Sequence, residues 1–405
     1  MRPQRVFITG LGVVAPGGVG TDAVFRNLVA GQSQTRAVTP DELGWPTLPG
    51  LDRSEPLIAA PAPDLPLGPG DNRLAALARA AVVEALGGSA ANSTSRSDCG
   101  LVLGASKGDL WRPDAGYGVS PGDVAERIGR EFGLGAGWLA PVAACATGLV
   151  AIGTAYLRLR QGDWTSAVAG GVDSSLHPGL MASYRRLGVL SRERARPETA
   201  CRPFDESRSG FVVGEGAGVV RMECEPGETG VLHGSSTTGG ALSGTQGQLA
   251  EVLGYALTSD AAGPLQLPTG PTALARAVTL ALEQAGLATS DVDVICLHGT
   301  GTLANDALEA AALRMVFGDR LDEIPAWSCK GALGHLLGAG GAVELIALVQ
   351  ALRSGLVPPT VNLRNPAPDC RLGHVLEVAR AGSFRVGLKL SLGFGGHCAA
   401  LILRA

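Results

Sequence analysis

Residues 148–162 of the chain, GLVAIGTAYLRLRQG, align without a gap with residues 341–355, GAVELIALVQALRSG. Each stretch has a helical pattern and ends at a glycine, the residue that most often terminates a helix. A second pair of helical stretches, residues 77–86 and 274–282, repeats at nearly the same interval, so the two offsets are 193 and 197 residues. Two such pairs half a chain apart predict an internal duplication, although alanine-rich helices can also resemble one another by chance.

The strands around these helices predict an α/β protein. Apolar runs such as RVFITGLG at 5–12 and AVAGGV at 167–172 are typical of strands that are covered on both faces. We therefore expect two related halves, residues 1–220 and 221–405, whose sheets pack between layers of helices. The Pro- and Gly-rich stretch 36–72 is interpreted as an excursion from the first half.

Composition excludes several classes of protein. The chain has 405 residues, of which 45% are hydrophobic and 17% charged, so it is not a disordered chain. A net charge of −4 without a basic run argues against nucleic acid as a partner. The eight cysteines are scattered, without a CxxC pair, which predicts neither a metal site nor a disulfide framework and suits the reducing cytoplasm. No apolar run reaches the length of a membrane span.

One glycine pattern near the N-terminus could suggest a different function. Gly10-Leu-Gly12 follows a strand and resembles a dinucleotide-binding loop, which must open a helix to hold the pyrophosphate. Pro16-Gly17-Gly18 follow and are expected to continue a turn. The sequence therefore does not predict a dinucleotide site.

Cys145 is the candidate nucleophile. Small residues precede it in PVAACATG at 141–148, and the helical run follows, so the thiol is expected at the start of a helix. Unpaired amide groups and the helix dipole at such a start favour the thiolate. The other seven cysteines are interpreted as buried structural residues.

Two histidines have equally specific surroundings. His298 opens HGTGT at 298–302, and His335 lies three residues before the position equivalent to Cys145 in the second half. If a pseudo-twofold axis relates the halves, Cys145, both histidines and Lys330 converge on one pocket. The remaining histidines are interpreted as structural or left without a role: His177, His233, His374 and His397.

A third element is the strand and glycine-rich turn at 390–396, LSLGFGG. Such a turn can present amide groups to an oxyanion, and Phe394 has room to move between its glycine neighbours. A plain hairpin is the alternative interpretation of this segment.

Together these segments resemble the elongating β-ketoacyl-acyl carrier protein synthases, condensing enzymes with a Cys-His-His triad. The resemblance covers nearly the whole chain and implies the thiolase fold, a duplicated five-layer α/β/α/β/α architecture. It is carried by TGLGVVAPGG at 9–18, ACATG at 144–148, RPFDESRSGFVVGEGAG at 202–218, HGTGT at 298–302, Lys330 with Gly334-His335, and GFGG at 393–396.

The resemblance also implies the chemistry, a decarboxylative Claisen condensation in fatty-acid or polyketide biosynthesis. Cys145 would hold the acyl group, and the amides of Cys145 and Phe394 would bind the oxyanion. His298 and His335 would bind the thioester carbonyl of malonyl-acyl carrier protein as CO₂ leaves. No metal or other cofactor is implied.

Further residues take supporting roles by the same resemblance. Lys330 would hold the electrostatics and geometry around His335, and Glu309 would support the residues that form the site. Thr300 and Thr302 would bind the pantetheine arm, and Phe394 would gate the acyl pocket.

Five residues depart from the family's usual pattern. Gly331 and Ala332 stand where the family has Ser-Asn after the lysine, and three others have no assigned role: Lys107, His397 and Cys398.

The implied partners are an acyl carrier protein and a second ketosynthase subunit, in a homodimer or a heterodimer. Because carrier proteins are acidic, an arginine-lined entrance is expected, with Arg73, Arg127 and Arg130 as candidates. One alternative is a non-catalytic chain-length partner subunit, which Cys145 argues against. The other alternative is a thiolase with Cys398 as its second cysteine, which His298 argues against.

Overall fold

The computed structural model describes residues 3–45, 56–68, 72–88, 96–110, 120–225, 247–264 and 268–405. Helices and strands alternate over most of this range. The helices are α1 Thr21–Val29, α2 Arg73–Ala85, α3 Pro121–Glu131, α4 Thr147–Gln161, α5 Pro178–Arg186, α6 Thr272–Ala285, α7 Leu303–Phe317, α8 Lys330–Leu333 and α9 Gly340–Ser354.

The strands fall into one large mixed sheet and two small ones. They are β1 Val6–Ala15, β2 Gly18–Val19, β3 Arg36–Val38, β4 Leu57–Ala60, β5 Cys99–Ala105, β6 Trp138–Leu139, β7 Ser166–Asp173, β8 Val213–Gly214, β9 Gly216–Cys224, β10 Ala250–Ser259, β11 Val294–Cys296, β12 Ala326–Trp327, β13 Leu356–Val357, β14 Arg380–Ala381, β15 Val386–Gly393 and β16 His397–Arg404. The large sheet has the order β12-β11-β15-β16-β10-β1-β9-β7-β5-β6, with β2 beside β1.

This strand order confirms the duplication. Read from either edge to the centre, it is β6-β5-β7-β9-β1 in the first half and β12-β11-β15-β16-β10 in the second. The two halves join where β1 pairs antiparallel with β10, with Val6 opposite Val252. The bounds of α4 and α9 differ by 193 residues at both ends, the offset that the sequence repeat predicts.

The helices complete the five layers of the expected thiolase fold. α4 and α9 pack against each other in the middle layer, while α2 and α3 cover one half-sheet and α6 and α7 cover the other. Equivalent glycines allow the central crossing: a Cβ on Gly148 would lie 2.9 Å from the nitrogen of Ala342, and one on Gly341 would lie 2.8 Å from that of Leu149. The stretch Leu337–Ser354 is apolar and long enough to cross a membrane, but 83% of it is buried in the protein core.

The structure corrects two details of the sequence interpretation. β1 continues through Gly10 and Gly12, and the turn comes only afterwards, at residues 16–17. These glycines allow α2 to approach the strand, because a Cβ on Gly12 would lie 1.9 Å from the carbonyl oxygen of Ala81. The border drawn between residues 220 and 221 falls inside β9, so a division of the chain that respects the strands comes after Cys224.

Gly12→Ala is therefore expected to destabilise the protein by about 1–3 kcal/mol, the usual cost of overpacking. The added methyl group meets backbone of α2, which cannot rotate away as a side chain can. Urea unfolding followed by circular dichroism measures the change. Gly270→Ala is the matched control, since a Cβ there has no described neighbour within 4 Å. Equal midpoints for the two variants would contradict this account of the strand glycines.

The segment before β9 links the halves. Val212 accepts a hydrogen bond from the nitrogen of His335 at 2.7 Å, and the nitrogen of Gly210 donates to Gly301 at 2.9 Å. In the described part of stretch 36–72, β3 and β4 form a small sheet with β8. Loops from the second half are thereby held against the first half, next to the start of α4.

Candidate active site

Cys145 lies in a tight turn that leads into α4. The 3-10 turn Ala144–Ala146 precedes the helix, and Ala144 adopts a left-handed conformation with φ of 49°. Leu337 holds the equivalent position in the second half, with φ of 46°. Because this conformation is strained for residues other than glycine, it is typical of turns that are held for a functional reason. This turn places the Cys145 side chain at the start of α4, where it is half-buried.

Two cavities meet at Cys145 and Phe394. The first, here called the histidine cavity, has a volume of about 630 Å³ and is also lined by His298 and His335. The second, called the Lys107 cavity, has a volume of about 590 Å³ and contains Lys107 but neither of these histidines. Phe394 therefore stands between a chamber with two imidazoles and a separate chamber that opens on the same sulfur.

Lys330 fixes the orientation of His298. Its ammonium group lies 3.3 Å from Nδ1 of His298, 2.5 Å from the carbonyl oxygen of His298 and 2.5 Å from the carboxylate of Glu344. An ammonium group only donates hydrogen bonds, so Nδ1 of His298 is the acceptor and Nε2 carries the proton. The sequence interpretation gave Lys330 the electrostatics and geometry around His335; its hydrogen bonds go to His298 and Glu344, and its charge also acts on His335.

His335 is held in the same tautomer by the backbone. The amide of Leu337 donates to Nδ1 of His335 at 3.3 Å, which leaves the proton on Nε2. The two imidazole rings lie 5.6 Å apart, nearly perpendicular to each other. Burial, together with the charge of Lys330, holds the pKa of both histidines well below the ordinary value. The cavity thus contains two neutral imidazoles that each have one N–H to donate.

Electrostatics around Cys145 differ from the sequence expectation. Burial raises the pKa of the Cys145 thiol to about 11, while the charges of Lys107 and Lys330 act in the opposite direction. The helix start is where it was expected, but burial opposes the thiolate that a helix start favours.

The end of β15 approaches the nucleophile closely. A Cβ on Gly393 would lie 2.4 Å from the carbonyl oxygen of Ala143 and 3.4 Å from the nitrogen of Cys145. Only a glycine permits this approach. It brings the turn that carries Phe394 next to the amide of Cys145, which is the arrangement that an oxyanion-binding pair of amides needs.

Carboxylates hold the HGTGT loop in place. Glu309 accepts hydrogen bonds from the amides of His298 at 2.6 Å and Gly299 at 2.8 Å. Burial raises its pKa to about 7. The hydroxyls of Thr300 and Thr302 lie 2.9 Å apart, and both residues line the histidine cavity. The Thr302 hydroxyl also accepts from the amide of Asn305 and so caps α7.

Three functional residues escaped the sequence analysis. Glu344, in α9, binds Lys330 and also Lys389, whose ammonium group lies 2.7 Å from it. Asp306 accepts from the amides of Thr300 and Phe204 at 2.9 and 2.7 Å. A charged residue within an apolar stretch was the available signal, since both Glu344 and Lys389 interrupt such runs.

The other candidate residues lie outside the two cavities. The His177 side chain caps α5, and His374 packs against Phe204, so both are structural. Cys398 is buried and lines neither cavity, and burial raises its pKa to about 12. His233 lies outside the described residues. Among the described residues, no group of His, Cys, Asp and Glu side chains could hold a metal ion.

Comparison with known proteins identifies the family. Residues 72–225 match the family profile "Beta-ketoacyl synthase, N-terminal domain", and residues 249–364 match "Beta-ketoacyl synthase, C-terminal domain". The 3-oxoacyl-[acyl-carrier-protein] synthase 2 of Rhizobium meliloti (strain 1021) is 34% identical over 99% of this chain and 99% of its own. The putative polyketide beta-ketoacyl synthase 1 of Streptomyces cyaneus is 32% identical, over 99% and 98%.

A solved structure agrees with these relatives. It contains a type II polyketide synthase acyl-carrier protein in complex with its ketosynthase bound to the hexaketide. It is 28% identical to this chain, covers 100% of both chains and has a TM-score of 0.81. The fold and the site thus define a condensing enzyme of the thiolase fold. Within that class, the chain belongs to the β-ketoacyl synthase family of acyltransferases, which extend acyl chains in fatty-acid and polyketide synthesis.

Proposed function

We propose that this chain catalyses the decarboxylative Claisen condensation of an acyl group on Cys145 with malonyl-acyl carrier protein. The observation that carries the proposal is the histidine cavity, where a thiol at a helix start faces two neutral imidazole donors. The product is a 3-oxoacyl-acyl carrier protein that is two carbons longer than the acyl group.

In the first half-reaction the Cys145 sulfur attacks the carbonyl carbon of the acyl thioester. The amides of Cys145 and Phe394 bind the oxyanion, and one such donor is worth roughly 10²–10³ in rate. The sulfur–carbon bond to the carrier breaks, and the carrier thiolate takes up the proton that the Cys145 thiol gives up. The acyl group stays on Cys145 as a thioester.

In the second half-reaction the malonyl thioester occupies the histidine cavity. Its carbonyl oxygen accepts hydrogen bonds from Nε2 of His298 and Nε2 of His335. These donors stabilise the enolate that forms when the bond to the carboxylate breaks and CO₂ leaves. The enolate carbon attacks the acyl carbon on Cys145, and the Cys145 thiolate leaves and is protonated. Thr300 and Thr302 bind the pantetheine arm, and Glu309 holds the loop that carries His298.

The presence of Cys145 disfavours a chain-length partner subunit, which lacks the nucleophile. The position of Cys398 disfavours a thiolase, because Cys398 lines neither of the two cavities that Cys145 lines. Incubation with acyl- and malonyl-acyl carrier protein tests the proposal. We expect release of CO₂ together with a 3-oxoacyl product. CO₂ release without this product, or neither, would contradict it.

The proposed partner is an acidic acyl carrier protein, and for its entrance we favour Arg192 over the predicted Arg73, Arg127 and Arg130. Arg73 is bound to Glu215 at 2.6 Å, and Arg130 to Glu126 at 2.6 Å. Arg192 lines the histidine cavity and is exposed. The stretch 185–196 around it has five arginines and one glutamate: Arg185, Arg186, Arg192, Arg194, Arg196 and Glu193.

Arg192→Glu is expected to raise KM for an acyl-carrier substrate about tenfold, within the range by which charge steering changes association. When a small thiol carries the same acyl group, kcat/KM should be nearly the same for Arg192→Glu and the wild-type protein. Stopped-flow or discontinuous kinetics at low salt measure both. Arg130→Glu, a change of equal charge at a distant site, is the control. Equal losses for the two variants would place the carrier elsewhere.

The oligomer and the location of the enzyme are part of the same proposal. We place the chain in a homodimer or in a heterodimer with a second ketosynthase-type subunit. We also place it in the cytoplasm, which suits the eight cysteines, all of them free in the structure. Sedimentation of the purified chain, alone and with a candidate second subunit, distinguishes the two assemblies.

A further inference from the structure

The Lys107 cavity is mostly apolar, as a chamber for an acyl chain should be, yet it also contains cationic side chains. Five of its twelve lining residues are polar or charged: Ser106, Lys107, Ser183, Tyr184 and Arg186. Both charged residues are cations, and no carboxylate lines the cavity. An alkyl chain that fills this space would strip water from two cations and return no hydrogen bond, which costs free energy.

The assignment of this cavity to the acyl chain rests on the proposed function. Cys145 and Phe394 line both cavities, and the histidines that would bind the malonyl thioester line only the other one. An acyl group on the Cys145 sulfur must leave the histidine cavity free for the incoming malonyl unit. The Lys107 cavity is the space on the other side of Phe394.

Lys107 is fixed in place and still reaches the cavity. Its ammonium group lies 2.7 Å from the hydroxyl of Ser106 and 3.0 Å from that of Ser175. Asp173, which is 1% exposed, lies behind it at 3.9 Å, while the Lys107 side chain is 26% exposed. The carboxylate is thus shielded from the cavity and the cation is not.

Tyr184 extends this polar wall. Lys107 lies over its ring, with the ammonium nitrogen 5.7 Å from the centroid. The Tyr184 hydroxyl can donate one hydrogen bond to a group in the cavity. Arg186 lines the same cavity and makes no ion pair with any residue in the described part of the chain.

Ser183 already donates to the carbonyl oxygen of Gly179. The hydroxyls of Ser106 and Ser175 take two of the three N–H groups of Lys107, so one N–H remains for an acceptor in the cavity.

We infer that Lys107 selects acyl groups that carry an acceptor oxygen, a carbonyl or a carboxylate, along the chain beyond the thioester. Such an oxygen accepts from the ammonium group of Lys107 or the hydroxyl of Tyr184 and replaces the lost water. A saturated acyl group of equal length lacks this acceptor and leaves the third N–H of Lys107 without a partner. We expect a preference of roughly 10- to 100-fold, the range that one hydrogen bond to a charged group supplies.

The test measures the rate at which Cys145 is acylated by three six-carbon thioesters of N-acetylcysteamine. The donors are hexanoyl, 5-oxohexanoyl and 5-carboxypentanoyl, and intact-mass spectrometry follows each. Wild-type protein is expected to prefer one or both oxygenated donors over hexanoyl. Preference for the carboxylate alone identifies an anionic acyl group, and preference for the ketone identifies a neutral one.

Lys107→Met should abolish the preference, and Lys107→Arg, which keeps the charge, should retain most of it. Because the Lys107 charge also lowers the pKa of Cys145, Lys107→Met slows acylation by every donor. The ratio between donors cancels this effect. Tyr184→Phe provides a second variant, with a smaller loss of preference, should Lys107→Met not fold.

Two failures can be told apart. If hexanoyl acylates Cys145 as fast as both oxygenated donors do, and Lys107→Met gives the same ratio of rates, Lys107 does not select the acyl group. The proposed function is unaffected by that result. If no thioester and no acyl-carrier protein acylates Cys145 in the wild-type protein, the proposed function fails, and this inference fails with it.

Discussion

Cys145→Ala is expected to lower the rate of condensation by at least about 10⁴-fold, since removal of a nucleophile removes the covalent route altogether. Acylation of the protein should stop as well. Quantification of the 3-oxoacyl product and intact-mass spectrometry measure the two losses. Full condensation by Cys145→Ala would contradict the assignment of the nucleophile.

Two further variants separate the half-reactions. Cys145→Gln places an amide carbonyl where the acyl thioester would lie and leaves His298 and His335 intact, so it should still release CO₂ from malonyl-acyl carrier protein. Cys398→Ala is the control for cysteine loss, because that thiol is buried away from both cavities. It should keep acylation and condensation. A loss of acylation in Cys398→Ala, despite a folded protein, would favour the thiolase interpretation.

The second large effect is expected at the histidines. His298→Ala and His335→Ala each remove one N–H donor to the enolate oxygen and should slow condensation by roughly 10²–10³-fold. Acylation of Cys145 should change much less, because the amides of Cys145 and Phe394 serve that step. Single-turnover kinetics on protein that is already acylated measure condensation alone.

His374→Ala is the matched control, since this histidine packs against Phe204 outside the histidine cavity. Its condensation rate should stay near the wild-type value in folded protein. If His298→Ala and His335→Ala slowed acylation as strongly as condensation, the histidines would serve the nucleophile instead. That result would overturn their role as donors to the malonyl thioester.

The architecture could be predicted because the duplication is visible in the sequence as a repeat. The gapless match between residues 148–162 and 341–355 became two central helices with bounds 193 residues apart. Once the halves are related by a pseudo-twofold axis, Cys145 and His335 must lie on the same side of the molecule. Helical period and glycine stops are local signals, so this part needed no knowledge of distant contacts.

Residues whose role depends on distant contacts were harder to predict. Gly10 and Gly12 belong to a strand-like run in the sequence and also resemble a glycine-rich loop. The reason for these glycines is not visible there, because the helix that approaches them lies about 70 residues away along the chain. Lys330 was paired with its neighbour in sequence, His335, while its hydrogen bonds go to His298 and Glu344.

The pKa of Cys145 also depends on contacts between residues that are far apart in the sequence. The start of a helix is visible in the sequence and predicts a lowered pKa for Cys145. The burial that raises this pKa comes from segments that pack around the thiol only in the folded protein. Lys107 was noticed in the sequence as a departure from the family's pattern, but only the structure shows that it shares a cavity with Cys145.

Intact-mass spectrometry of one sample in two steps tests the central claim most directly. The purified protein is first mixed with acyl-carrier proteins of several chain lengths and then with malonyl-acyl carrier protein. We expect a mass gain of one acyl group in the first step, absent from Cys145→Ala, and its loss in the second step as the 3-oxoacyl product appears on the carrier. A protein that gains no acyl group, or keeps it in the presence of malonyl-acyl carrier protein, would contradict a condensing role for this chain.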